Sequence, residues 1–129
     1  MPTPKKAATI DELTDQLSRS QLTIIADYRG LPVSALQEFR SNLRPAGAEL
    51  RVAKNTLTTI AASKAGVEGL EPLLEGPTAL VFGYDDLVQT AKAVSDFVRT
   101  SRVLTVRGGV MEGRLVTPED VEAIATLPS

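Results

Sequence analysis

The 129-residue sequence contains no cysteine and no histidine. Without cysteine there is no disulfide and no thiolate metal site. Without histidine there is no imidazole ligand, no Ser-His-Asp triad and no side chain whose ordinary pKa suits a general base near neutral pH. Carboxylates and lysines remain, but the commonest catalytic constellations are gone, and no cofactor or metal is expected. Aromatic residues make up only 4% of the chain, so its core must be mainly aliphatic. No apolar run approaches the ~18 residues that span a bilayer. The opening residues, Met1-Pro2-Thr3-Pro4-Lys5-Lys6, lack the long apolar stretch of a signal peptide. A cytoplasmic protein with no membrane partner is the expectation.

What is present is enough apolar material, 43% of residues, to fill one core in a chain of one domain's length. The net charge of −2 speaks against a nucleic-acid binder until its distribution is considered. Residues 1–66 carry nine Lys/Arg against six Asp/Glu, a balance of +3. Residues 67–129 carry five against ten, a balance of −5. Ordinary compositional scatter explains such a split as readily as function does.

The elements alternate. Thr9-Ile10-Asp11-Glu12 has the form of a capping box, followed by Leu13 and Leu17 at helical spacing; Lys5 and Lys6 either extend this helix or precede it as an arm. Leu22 to Ala26 is a short strand rich in β-branched residues. Pro32 suits a first helical position, and Leu36, Phe39 and Leu43 form the stripe of a helix ended by Pro45 and Gly47. Residues 48–53 alternate like a strand, and Asn55 can cap a helix running to Ala65. Thr78 to Phe82, without charge, is an interior strand, and Asp85 or Asp86 caps the next helix. Val103 to Met111 is a fourth strand, interrupted by Gly108-Gly109 as by a bulge, and Leu115-Val116 leads to a helix capped by Thr117 with Pro118 behind it. The pattern predicts one α/β domain over residues 1–129. It has a mixed sheet of four to five strands packed with helices, in a ferredoxin-like or related two-layer or sandwich arrangement. Right-handed crossovers make the first two strands parallel, which puts both their carboxyl ends on one sheet edge.

Two turns leave from that edge, Tyr28-Arg29-Gly30-Leu31 and Lys54-Asn55-Thr56-Leu57, 26 residues apart. Each sets a cation beside a helix start, where free N–H groups and the helix dipole attract anions. Arg29 offers a planar fork for phosphate oxygens, and Lys54 a point charge. Asn55 brings an amide, Gly30 a close backbone approach, and Tyr28 a ring on which an unpaired base can stack. Taken singly, each has an ordinary role as well: Asn55 a helix cap, Lys54 a solvated strand end, Tyr28 a residue at the rim of the core. Gly108-Gly109 with Gly113 matches a phosphate loop poorly, because it lies within a strand and lacks the Gly-Lys-Ser/Thr ending. Asp85-Asp86 suits a helix start better than a metal. A small-molecule-binding regulatory domain on a similar sheet is the alternative, and it requires a polar pocket.

The order of further motifs is more specific than any one of them. After Tyr28-Arg29-Gly30-Leu31 come Leu43-Arg44 with Ala46-Gly47, then Val52-Ala53-Lys54-Asn55-Thr56-Leu57, then Gly76-Pro77-Thr78-Ala79. Gly108-Gly109-Val110 with Glu112-Gly113 and Leu127-Pro128-Ser129 complete the series. Across essentially the whole chain the sequence resembles the bacterial family of large-subunit ribosomal protein ten, the protein at the base of the ribosomal stalk. The resemblance implies a non-enzymatic protein of the ribosome with a mixed-sheet α/β domain. It implies binding to large-subunit ribosomal RNA in the GTPase-associated region, beside large-subunit ribosomal protein eleven. Members usually continue into a helix that recruits dimers of the acidic stalk protein, and hence translation factors; residues 1–129 correspond to the RNA-binding domain without that helix. On this basis Arg29 and Lys54 are expected on phosphates, Asn55 and the N–H groups around Thr56 in positioning, and Tyr28 and Gly30 at the same surface. Lys5 and Lys6 add weaker attraction, and the acidic half faces away from the RNA. Members often carry arginines soon after the Lys-Asn-Thr-Leu element, whereas here Thr58 and Thr59 stand there and Lys64 is the nearest cation.

Overall fold

A computed structural model describes residues 3–128. The chain runs α1 (Pro4–Arg19), β1 (Leu22–Asp27), α2 (Val33–Leu43), β2 (Ala48–Val52), α3 (Asn55–Lys64), β3 (Thr78–Gly83), α4 (Leu87–Ser101), β4 (Thr105–Met111), β5 (Arg114–Val116) and α5 (Pro118–Ala125), with short 3-10 turns at Arg44–Ala46 and Glu71–Leu73. The five strands form one sheet in the order β2-β3-β1-β4-β5. The expected α/β domain and strand number are present. The sheet is not mixed, however: all four pairings are antiparallel. The reason is β3, which inserts between β1 and β2. These two strands do run in the same direction, as the crossover through α2 requires, but each pairs with β3 instead of with the other.

Helices cover both faces, so the layers number three. Every position of β1 and β3 is buried, and such continuous apolar strands need cover on both sides. On one face Leu22, Ile24, Ala26, Ala79 and Val81 meet Phe39 and Leu43 of α2, Val94 and Phe97 of α4, and Val121 and Ile124 of α5. Phe39 and Phe97 stack with ring centroids 4.5 Å apart. On the other face Ile25, Leu80, Phe82 and Val110 meet Ile10, Leu13 and Leu17 of α1, Ala61 and Ala62 of α3, and Leu70 and Leu74 of the connection that follows.

Three helix starts differ from expectation. Helix α1 begins at Pro4, capped by Thr3, whose hydroxyl accepts from the Lys6 N–H (3.3 Å). Proline preset at the first position and Ala7-Ala8 behind it carry the helix upstream. Thr9 therefore lies within the helix, and its hydroxyl donates to the Lys5 carbonyl (3.1 Å). Pro32 is the N-cap of α2 rather than its first residue. Lys54, not Asn55, is the N-cap of α3, with no side-chain hydrogen bond closing that start. Asp86 and Thr117 cap α4 and α5 as expected, Thr117 in a full capping box with Asp120.

The interruption in β4 is a bulge. Ile25 faces Gly108 and Ala26 faces Val106, which leaves Arg107 without a partner residue in β1. A bulge of this kind re-aims the side chain of the extra residue. Here it turns Arg107 toward the end of β1.

Candidate nucleic-acid interface

The antiparallel register brings the two cationic turns to one sheet edge. Asp27, the last residue of β1, faces Thr78 at the start of β3, and Val52, the last residue of β2, faces Ala79. Both chains thus leave the sheet beside the same strand start. The segment that enters that strand, Gly76-Pro77, ties them together. The Tyr28 N–H donates to the Pro77 carbonyl (3.1 Å). The Asn55 side-chain amide donates to the Gly76 carbonyl (2.9 Å). The Arg29 guanidinium lies over Gly76 so closely that a β-carbon there would stand 2.5 Å from its terminal nitrogen. Asn55 is therefore a clip between two loops, where sequence had offered a helix cap.

The first turn is closed by the Leu31 N–H, which donates to the Tyr28 carbonyl (2.9 Å). Gly30 takes its third position with φ +87°, the conformation that favours glycine there. A β-carbon on Gly30 would meet only Val103 Cγ1, at an ordinary 3.7 Å. Gly30→Ala is thus expected to cost the backbone preference alone, ~1 kcal/mol, read as a lowered urea midpoint with an unchanged m-value.

Asp27 holds the same turn from beneath. One carboxylate oxygen accepts the Arg29 N–H (2.8 Å), and the other accepts from the Arg107 guanidinium (2.8 Å). The Asp27 side chain is 10% exposed and that of Arg107 33%. The hydrogen bond from Arg107, and then that from the Arg29 backbone, hold the Asp27 pKa below the ordinary aspartate value against the opposing effect of burial. Sequence reasoning passed over both residues. The signal for Asp27 was a lone carboxylate ending an apolar strand directly before an arginine turn. The signal for Arg107 was a cation beside the glycines of an expected bulge.

The remaining expected residues fall in two groups. Thr56 is exposed at the second position of α3, and Tyr28, Lys54, Asn55, Thr56, Gly76 and Pro77 line one shallow, open depression. The N–H groups of Asn55 and Thr56 open a helix and have no acceptor within it. Lys5 and Lys6 are exposed in the first turn of α1, and among the described residues no hydrogen bond or ion pair ties them to the two turns. Tyr28 is half-buried, packing against the core as well as lining the depression. No helix among the described residues is long and apolar enough to cross a membrane.

These features define a class: a helix-covered antiparallel α/β domain that presents cations and the backbone N–H groups of a helix start along one sheet edge. The chain belongs to the ribosomal protein L10 family, whose family model matches residues 1–99. It is 52% identical over 128 residues to the large ribosomal subunit protein uL10 of Thermomicrobium roseum, covering 99% of this chain and 72% of that one. The protein of the same name from Roseiflexus castenholzii is 47% identical over 129 residues, covering all of this chain and 69% of its own. That from Staphylococcus aureus strain JH9 is 45% identical over 124 residues, covering 96% and 75%. The chain is accordingly a ribosomal protein, structural rather than catalytic.

Proposed function

We propose that this chain anchors the base of the stalk on the large ribosomal subunit by gripping ribosomal RNA in the GTPase-associated region with the edge built around Gly76-Pro77. Its relatives carry the name of a large-subunit protein, and the edge has the chemistry of a phosphate-backbone grip. The observation that carries the reading is the convergence of two turns distant in sequence, each with an exposed cation, on one pair of loop carbonyls. Arg29 and Lys54 neutralise phosphates, while the N–H groups of Asn55 and Thr56 fix position, as backbone contacts in such interfaces do. Tyr28 supplies a face for an unstacked base, and RNA shape supplies the rest of the specificity. Large-subunit ribosomal protein eleven shares the RNA site. Residues 1–129 carry the RNA anchor.

The test is titration of the chain with the GTPase-associated segment of large-subunit ribosomal RNA at several salt concentrations. Arg29→Ala and Lys54→Ala should each reduce the slope of log affinity against log salt by ~1, one counterion per lost phosphate contact. Parent-like affinity and slope in both variants would place the RNA elsewhere on the molecule.

A further inference from the structure

We propose that Arg107 is a third RNA-binding cation of this edge, and the best oriented of the three. This rests on the reading of the edge as the RNA face. Nothing in the sequence pattern around the two turns points to Arg107, which lies 78 residues beyond Arg29 and outside the segment matched by the family model.

The bulge supplies the geometry. Arg107 is the extra residue of β4, freed from the regular alternation of the strand, and its guanidinium reaches Asp27 at the end of β1. Asp27 lies behind, nearly buried, whereas a third of the Arg107 side chain faces solvent. The Arg107 Nε is buried without a hydrogen-bond partner among the described residues, so the stem of the side chain is covered while a terminal nitrogen binds Asp27. Arg29 stands near the same carboxylate: the point where a Gly76 β-carbon would lie is 2.5 Å from an Arg29 terminal nitrogen and 3.8 Å from Asp27 Oδ2. Two guanidinium groups therefore lie near one recessed carboxylate, leaving a net positive charge.

A guanidinium presents five donors in a rigid fork suited to phosphate oxygens. Holding one in place beforehand removes part of the ordering cost that a free surface side chain meets on binding. Lys54, exposed on a flexible stem, lacks that advantage. The Asp27 carboxylate on an RNA-facing edge also gains a purpose, since it directs an arginine instead of repelling phosphate at the surface.

The experiment is the same RNA titration with Arg107→Ala and Arg107→Lys beside Arg29→Ala and Lys54→Ala. Arg107→Ala should reduce the salt slope by ~1, and Arg107→Lys should restore the slope without restoring the full affinity, because an ammonium carries the charge but not the fork. An ion pair serving structure alone would leave slope and affinity at parent values in both Arg107 variants. That result, with Arg29→Ala and Lys54→Ala still lowering the slope, overturns the inference and leaves the edge reading standing. No change in any of the four variants overturns both. Should Arg107→Ala fail to fold, the Nε–H resonance of Arg107 in the parent chain, assigned by its loss in Arg107→Lys, decides. It should shift as RNA is added, and a resonance that stays in place while RNA binds overturns the inference.

Discussion

Gly109→Ala should lower the unfolding free energy by ~3 kcal/mol, at the upper end of what overpacking a core costs. Gly109 faces Ile24 of β1 and Val116 of β5, so its backbone is held by hydrogen-bonded strands on both sides. A β-carbon added there would fall well inside contact distance of the Thr23 carbonyl oxygen, and 3.3 Å from the Ile24 Cα. These are backbone atoms of the central strand, which no rotamer change can move aside. Relief requires β1 and β4 to part, and β1 is buried at every position between two helical layers. In a domain of this size ~3 kcal/mol corresponds to a fall of about 10 °C in Tm. Gly113→Ala is the internal control. Gly113 has φ +80° but nothing within 4 Å of a β-carbon, so only the backbone preference of ~1 kcal/mol is lost. Urea unfolding of the two variants separates the effects: a Gly109→Ala midpoint as close to the parent as that of Gly113→Ala would mean that the strands yield easily.

The strands and most helices were legible because their signals are local. Leu22 to Ala26 and Thr78 to Phe82 carry no charge, and the structure buries them on both faces. Thr117-Pro118 and Asp86 start helices where their chemistry says they should. The exchange of neighbours in the sheet was not legible. Right-handed crossover logic gives the relative direction of β1 and β2 correctly but cannot say that a later strand, β3, will lie between them. That choice depends on non-local packing of two continuous apolar strands against helices on both faces. The helix start at Pro4 was missed because a capping-box pattern on an exposed helix surface looks the same as one at a helix end. At the candidate site the two turns and their common edge followed from strand direction alone. What joins them did not. Gly76-Pro77 reads as a breaker, and its role as a bridge rests on two carbonyls whose partners, Tyr28 and Asn55, are distant in sequence. Asp27 and Arg107 are 80 residues apart, and they meet only because a bulge turns one toward the other.

Asp27→Ala should be the second most damaging substitution, because it removes two hydrogen bonds and leaves a cation behind. The Arg29 N–H loses its acceptor, and the Arg107 guanidinium, already lacking a partner at Nε, loses its counter-charge. Breaking a fully buried pair costs ~3–5 kcal/mol. Arg107 is a third exposed and partly rehydrates, which brings the expectation to ~2 kcal/mol. Asp27→Asn keeps an oxygen for the Arg29 N–H but drops the charge, so it should cost about half as much. The pH dependence has a definite sign. The Asp27 pKa is lowered in the folded chain, chiefly by Arg107. The carboxylate therefore stabilises fully above its unfolded pKa of ~3.9, and that contribution fades as pH falls through the lower folded value. The difference in unfolding free energy between parent and Asp27→Asn should be constant from pH 7 to pH 5 and shrink below about pH 4. Every other carboxylate is common to both chains, so subtracting one urea series from the other isolates Asp27. A gap that stays constant down to pH 2.5 would mean that the ionised carboxylate contributes nothing beyond its hydrogen bond, and that Arg107 is held at the edge by packing instead.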